Sequence, residues 1–559
     1  MENNGNNNFD NNINDNNNQE NISQEHPALP ETPAALHPHP TPRDLALEPE
    51  ASTRGLTHGF HPGVSAIPSY NLFCPILQSA NTEPETVDLL IKKEIENKFM
   101  IGPFSAPPFS VSRISPIGIA TRKFSDKKCL IIDLSSPHNS TFPSINSTIQ
   151  PDEFSLHYHD IDQAISLIKI AGRNAWLAKV DITSAFKIMP IHPDFWHLFG
   201  IRWRSKFYFA VRLTFGCRSS PKIFDTLSEA LCWILSNNYG VPYLIHLLDD
   251  FLIISPLSSP PAKHLAITQK VFADLGIPLA EEKTSGPSTS IEFLGINLNS
   301  NKFEASLPKE KIDRIISLSL IFLEKQVCTK RELLSILGHL NFAMRIIPQG
   351  RPFISHLLQL AASVHSLEES ILLNESSREE LSLWISFLKQ WNGCSFFYSD
   401  LITSPVDISL FTDAAPSVGF GGFYQKHWFA STWPSQMLNI PQNQHSSALF
   451  ELYSIVVAAI LWGHHWSASC ILIHCDNEAT VQCVNKGRSH SPPLTPLLRR
   501  LAWTSANKQF IMIAKHVPGC KNQIADSLSR FSFQKFQLLA PGADPHPTPV
   551  PPYSETILP

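Results

Sequence analysis

Two apolar rhythms run along this chain, and they change at definite places. From about Thr86 to Ser300 short β-branched and aromatic runs alternate with helical stretches, which predicts an α+β block. From about Leu307 the apolar residues fall at three-to-four spacing, as in KEKIDRIISL (309–318) and RELLSILGHL (331–340), which predicts amphipathic helices. A less regular stretch follows. A new block then opens with a strand, ISLFTD (408–413), and a Gly-rich hairpin, VGFGGFY (418–424). The ends carry no such rhythm. Residues 1–65 divide into an Asn/Asp/Gln tract and a Pro/His/Ala stretch, and 536–559 form a Pro-rich tail. Neither has the periodic apolar residues that repay ordering entropy, so both are expected to be disordered. There is no internal repeat.

The boundaries expected are therefore 86–300, 301–400 and 405–535 between the two tails. At 559 residues the chain is too long for one core. Hydrophobic residues are 43% and charged residues 17%, so most of it is expected to fold; many of the 45 prolines lie at the ends. The net charge of −5 neither favours nor excludes nucleic acid, because a groove needs only local basicity. The ten cysteines form no CxxC pair, and Cys470, Cys475 and Cys483 with His474 fit no common zinc spacing. They read as reduced thiols. No apolar run marks a signal peptide, and no segment approaches the length of a membrane span. The expectation is an intracellular protein without a membrane partner, with nucleus and cytoplasm left open.

Charge placed against this pattern picks out candidate chemistry. Asp181 ends the apolar run WLAKVDI (176–182), and Asp249 and Asp250 interrupt YLIHLLDDFLII (243–254) where a hairpin tip is expected. Adjacent carboxylates in apolar surroundings are costly unless a cation neutralises them. Phosphoryl transfer with two divalent ions supplies a reason for them; an ordinary solvated turn is the alternative. Downstream, Asp413 ends a strand and Glu451 is the sole charge in ALFELYSIVVAAI (448–460). Asp476 ends ILIHCDN (471–477), and Asp526 lies where HVPGCKNQIADSLSR (516–530) turns into a helix. A lone Glu on so apolar a helix is expensive to bury without a partner. A shared metal pair would provide one.

The first acidic set, with its surroundings, resembles the reverse transcriptase family. The resemblance lies in DITSAF (181–186), LTFGCRSSPKIF (213–224), LLDD (247–250), EEKT (281–284) and EFLGI (292–296), five motifs in the family's order. It implies a right-hand polymerase with fingers, palm and thumb, in which Asp181, Asp249 and Asp250 hold two Mg²⁺ or Mn²⁺ ions, Asp250 least directly. Phe186 falls at the steric gate against ribonucleotides, with a packed core Phe as the alternative. Gly216, Ser220 and Pro221 fall in the template-and-nucleotide motif. Lys283 matches the position facing the leaving pyrophosphate, with a surface lysine as the alternative. Two residues depart from the pattern: Leu247 stands where most members have Tyr, and in KKCLIIDL (127–134) Cys129 stands where many have a triphosphate-binding Arg. Lys127 or Lys128 would then serve as a point charge. Between Lys302 and Arg351 nine Lys/Arg face five Asp/Glu, an excess suited to a duplex backbone or to a solvated face.

The second set, Asp413, Glu451, Asp476 and Asp526, resembles an α/β ribonuclease H-like domain, with two further ions and with His516 assisting product release or proton transfer. A surface loop histidine is the alternative for His516. KIMPIHP (187–193), RWRSKFYFA (202–210) and the tail of this domain look most like DIRS-type retrotransposons, with Gypsy-like and pararetroviral polymerases as rivals. The resemblance implies an RNA-directed DNA polymerase with linked ribonuclease H. Its partners would be an RNA template, a DNA primer, the RNA–DNA hybrid, dNTPs and other element-encoded proteins such as a recombinase or capsid-like protein. No protease box, integrase zinc module or recombinase set is present in the sequence. A domesticated or decayed copy that binds nucleic acid without catalysis is the other class, and the intact acids speak against it. A telomerase-like polymerase is disfavoured by the attached nuclease motifs.

Overall fold

The computed structural model describes residues 49–559, apart from 68, 122–127, 139, 157–158, 391–393, 398–401, 404–409, 490 and 559. Its first half is a mixed α+β assembly. Helix α1 (Pro84–Glu96) leads to strand β1 (Lys128–Ile132), which is half of a hairpin with Ile117–Thr121. The central sheet has the order β5–β2–β4–β3, where β2 is Trp176–Asp181, β3 Tyr243–Leu247, β4 Asp250–Ser255 and β5 Ser285–Ser288. Helix α2 (Ser220–Tyr239) packs on it, with Pro221 in its first turn, where a missing N–H costs nothing. Ala178, Val180, Phe251 and Ile253 face one core, Leu177, Leu252 and Ile254 the other; the period of two along these strands fills both sides of the sheet.

The helices that follow include α3 (Lys309–Glu324), α4 (Lys330–Ala343) and α5 (Glu375–Gln390). Thr329 starts α4 with a capping box to Glu332, which satisfies two otherwise orphan N–H groups. The basic excess here is partly taken up internally. Lys325 pairs with Glu332 at 2.7 Å, and the Lys311 ammonium sits 4.0 Å over the Phe342 ring while donating to Gly295 O.

The last block has an antiparallel meander, β6 (Leu410–Ala415), β7 (Gly419–Tyr424) and β8 (His427–Ser431), and a parallel pair, β9 (Cys470–Cys475) and β10 (Ile511–His516). Helices α6 (Ser447–Trp462), α7 (Glu478–Lys486), α8 (Leu494–Lys508) and α9 (Gln523–Ser529) pack against them. Gly421 is needed where α9 crosses β7, because a Cβ there would lie 2.5 Å from Leu528 Cβ. With its following turn, α6 runs to Trp466 and is long and apolar enough to cross a membrane by length and composition, which corrects the expectation that no segment approaches that length. Its most apolar window is 78% buried in the fold, as befits a core helix.

Both tails need correction. Residues 1–48 of the expected disordered N-terminal tail lie outside the described residues, but 49–58 form a helix, and Phe60 and Val64 bridge to Ile191 and Ile149. The C-terminal residues are packed. Trp428 Nε1 donates to Asp544 O at 2.7 Å, Thr548 N to Trp428 O at 2.6 Å and Leu558 N to Pro496 O at 3.1 Å. Tyr553 stacks on Tyr453, and Thr556 is fully buried. Main-chain hydrogen bonds and two or three well-placed side chains order a segment whose prolines rule out a long helix or strand.

Between the helical block and the last block lies a joint with a charged centre. Arg499 on α8, 2% exposed, donates to Glu380 on α5, 0% exposed, at 3.2 Å, and to Pro352 O at 3.4 Å. Glu380 also accepts from the N–H groups of His356 and Leu357. Around this pair Phe387 meets Trp503, and Gln349 Nε2 donates to Phe510 O.

Candidate active sites

The first site is built by strand register. On neighbouring strands Asp181 and Asp250 are direct partners, as are Leu247 and Asp250. Leu248 and Asp249 therefore form a two-residue turn. Leu248 adopts φ +54°, the left-handed geometry that such turns require. Two hydrogen bonds fix the tip: Ile182 N donates to Asp249 O at 3.0 Å, and Ser228 Oγ on α2 to Leu248 O at 3.0 Å. Asp181 is 4% exposed. Burial, then Asp181 and Asp249 as like-charged neighbours, push the Asp250 carboxyl up to about 6. Lys283 Nζ donates to both oxygens of Asp181 at 2.7 Å, so an ammonium supplies the positive charge that this cluster calls for. One ammonium against three carboxylates leaves an excess of negative charge, and hard oxygen donors from two strands and a turn fit a pair of divalent cations.

A cavity of about 260 Å³ opens over these acids, lined among others by Asp181, Asp249, Lys283, Lys128, Cys129 and Phe215. Lys128 is paired with Glu83, and Lys127 lies outside the described residues. Sequence reasoning missed Phe215, whose ring is 56% exposed and looks into the cavity, and Lys187, which lines it while paired with Glu94 at 2.7 Å. A Phe next to the expected motif glycine was the available signal for the first. Phe186 is 7% exposed and packs between Phe215 and Phe224, at 4.8 and 5.7 Å, without lining the cavity. Gly216, at φ +94°, is required by a neighbouring strand: a Cβ would lie 2.7 Å from Ile132 O. Ser220 is buried and donates to Thr214 O at 2.9 Å, shaping the turn before α2. Behind the hairpin, Asp225 on α2 lies 3.9 Å from His246 Nδ1 on β3. Burial and then Glu229 raise the Asp225 carboxyl to about 6.

The second site gathers Asp413 from β6, Glu451 from α6, Asp476 just after β9 and Asp526 from α9. Asp413 accepts from Ser529 Oγ at 2.6 Å, yet burial and the neighbouring Asp476 and Asp526 raise it to about 6. Glu451 is 5% exposed; burial, then Asp413 and Asp476, push it up to about 9, against one hydrogen bond from Ala414 N at 3.2 Å. A buried acid raised by two other acids fits a cation in the same way as the first cluster. Asp526 pairs with Arg530 at 2.6 Å. His516, exposed at the end of β10, contacts Asp476 O through Nε2 at 3.1 Å. Sequence reasoning set Cys475 aside as a plain thiol, but the structure brings its sulfur within 4.8 Å of donor atoms of both Glu451 and Asp476.

Residues 113–298 match the family described as reverse transcriptase (RNA-dependent DNA polymerase). Over 254 residues the chain is 26% identical to the Pro-Pol polyprotein of Simian foamy virus type 1, covering 42% of this chain and 20% of that one. Over 202 residues it is 23% identical to the Gag-Pro-Pol polyprotein of Human T-cell leukemia virus 2, covering 34% and 13%. The matches thus span 20% and 13% of the length of these two relatives. Among solved structures it is similar to a foamy viral protease-reverse transcriptase in complex with RNA/DNA hybrid, with TM-score 0.47 and 17% identity, covering 81% of this chain and 56% of that one.

Proposed function

We propose that this chain, which carries a reverse transcriptase domain across residues 113–298, is an RNA-directed DNA polymerase whose C-terminal block is a linked ribonuclease H. The observation that carries the reading is the register that sets Asp181 opposite Asp250, with Asp249 beside Asp250 at the β3–β4 turn, under a cavity of about 260 Å³. Two divalent cations, when bound, neutralise charge at the attacking 3′-oxygen and the leaving pyrophosphate. The chain's own part is to hold and orient. The Asp249 carbonyl is tied to Ile182 N, so the hairpin tip cannot drift from the end of β2. Lys283, held on Asp181 at the cavity wall, would present its ammonium to the negative charge of the leaving pyrophosphate. Phe215 and Lys187 complete the walls against which base, sugar and phosphate would lie.

The nuclease reading rests on four acids drawn from a strand, two helices and a strand end to one place. His516 beside Asp476 is positioned for proton traffic at the product end. The DIRS-type affiliation is the finer part of the reading and is carried by KIMPIHP (187–193) and RWRSKFYFA (202–210). An RNA template, a DNA primer and dNTPs are the substrates expected. Asp249→Asn is the deciding variant: with Mg²⁺ it should lose primer extension on RNA while RNA cleavage in the hybrid continues. Near-normal extension by folded Asp249→Asn would remove the assignment.

A further inference from the structure

The nuclease-like centre contains a donor that two-metal phosphoryl transfer does not use. Cys475 is the last residue of β9 and is 1% exposed. Its sulfur, a Glu451 oxygen and an Asp476 oxygen all lie within 4.8 Å of one another. Glu451 is 5% exposed, and among the described residues its carboxylate receives a single backbone hydrogen bond, from Ala414 N. A carboxylate so buried and so sparsely satisfied is a ligand in want of a partner. Asp476 is exposed, so a solvated ion can enter from that side.

Hard and soft cations would use this place differently. Mg²⁺ takes oxygen donors and has little use for sulfur. Zn²⁺ and Cd²⁺ favour thiolate together with carboxylate oxygen. With ligand bonds of about 2.0–2.3 Å, the corners of a tetrahedron stand about 3.3–3.8 Å apart, so three donors spread over 4.8 Å close around such an ion with a shift of about an ångström. The geometry points to a mixed site in which Glu451, Cys475 and Asp476 bind one thiophilic divalent cation, Zn²⁺ or Cd²⁺, with the fourth position open to water. On binding, the Cys475 S–H bond and the Glu451 O–H bond break, both protons pass to solvent, and sulfur–metal and oxygen–metal bonds form; no oxidation state changes. Such an ion would occupy Glu451 and Asp476 and silence hybrid cleavage. That consequence rests on the nuclease reading, whereas the ligation does not.

The test is a titration of the full chain with Cd²⁺, followed by the ultraviolet sulfur-to-cadmium charge-transfer band. Nine of the ten free cysteines serve as internal background. The first equivalent should raise the band in the wild type and not in Cys475→Ser, and Asp476→Asn and Glu451→Gln should each weaken binding about tenfold or more. Should Cys475→Ser fail to fold, the two carboxylate variants carry the test alone. A band that persists at the first equivalent in folded Cys475→Ser, or Cd²⁺ affinity unchanged in both carboxylate variants, overturns the site. Absence of RNA cleavage in Mg²⁺ with the band intact would instead overturn the nuclease reading and leave this one standing.

Discussion

Asp225 shows how a single buried carboxyl beneath the acidic hairpin reports its surroundings. Its carboxyl is raised to about 6, by burial first and Glu229 second. A raised acid holds its proton more tightly folded than unfolded, so its contribution is present below about pH 4 and is lost as pH rises through about 6. Asp225→Asn removes that loss. Denaturation midpoints of the variant and wild type should be close at pH 4 and should separate in the variant's favour by pH 7, by up to about 3 kcal/mol. A difference that stays constant across that window would show that the carboxyl is not raised. The two phenylalanines separate by role in the same manner. Phe186→Ala should cost about 3–5 kcal/mol of stability, as a buried ring does. Phe215→Ala should cost little stability but should shift the ratio of dNTP to rNTP incorporation. If Phe186→Val moves that ratio while Phe215→Ala does not, the gate belongs to Phe186 as the family resemblance implies. Sequence could offer Phe186 from its spacing to Asp181; which of two rings touches the cavity depends on packing against Phe224, which spacing does not reveal.

At the level of elements, what is local was legible and what is distant was not. The hairpin around Asp249 and Asp250 is written in adjacent residues, two β-rich runs broken by two acids. The helix Ser447–Trp462 announced itself by its unbroken apolar run with one Glu. The C-terminal segment did the opposite, because Val550, Tyr553 and Ile557, though spaced three and four apart, are interrupted by Pro551 and Pro552 and gain their order from residues far upstream. Truncation after Ala540 should therefore lower the melting transition of the last block by roughly 3 kcal/mol, the scale of one or two buried side chains, while primer extension persists. A truncated chain that melts like the full one would return the segment to the status of a loose tail. The basic excess of α3 and α4 was visible as a count, but Lys325–Glu332 and Lys311 over Phe342 show that part of it is already engaged within the block.

Across the whole molecule the two acid clusters draw on separate elements: β2, β3 and β4 for one, β6, α6, β9 and α9 for the other. Asp476→Asn removes a charge at nearly constant volume and should abolish RNA cleavage in a hybrid while extension on the same hybrid continues. Glu451→Gln should do likewise, with a gain in thermal stability at neutral pH, because the amide needs no proton on folding whereas the raised acid must take one up. Paired extension and cleavage gels at several Mg²⁺ concentrations decide the matter. Loss of both activities in folded Asp249→Asn and in folded Asp476→Asn would mean a single coupled centre. The order of the motifs along the chain was enough to separate these clusters; the joint that ties their blocks together was not foreseeable, since Arg499 and Glu380 are far apart in sequence.

That joint bears on how the chain could be rebuilt from parts. Removing one member of a buried ion pair strands the other, a loss of about 3–5 kcal/mol, whereas replacing both with well-fitted apolar residues can be neutral. A chimera that grafts a foreign nuclease block onto this helical block would bring a stranger to face Glu380, and one that keeps Arg499 but exchanges α5 would leave the guanidinium without its counter-ion. Either recombinant should purify poorly until the missing residue is carried across with its partner. Arg499 and Glu380 thus act as a compatibility key that a working chimera must carry together or replace together.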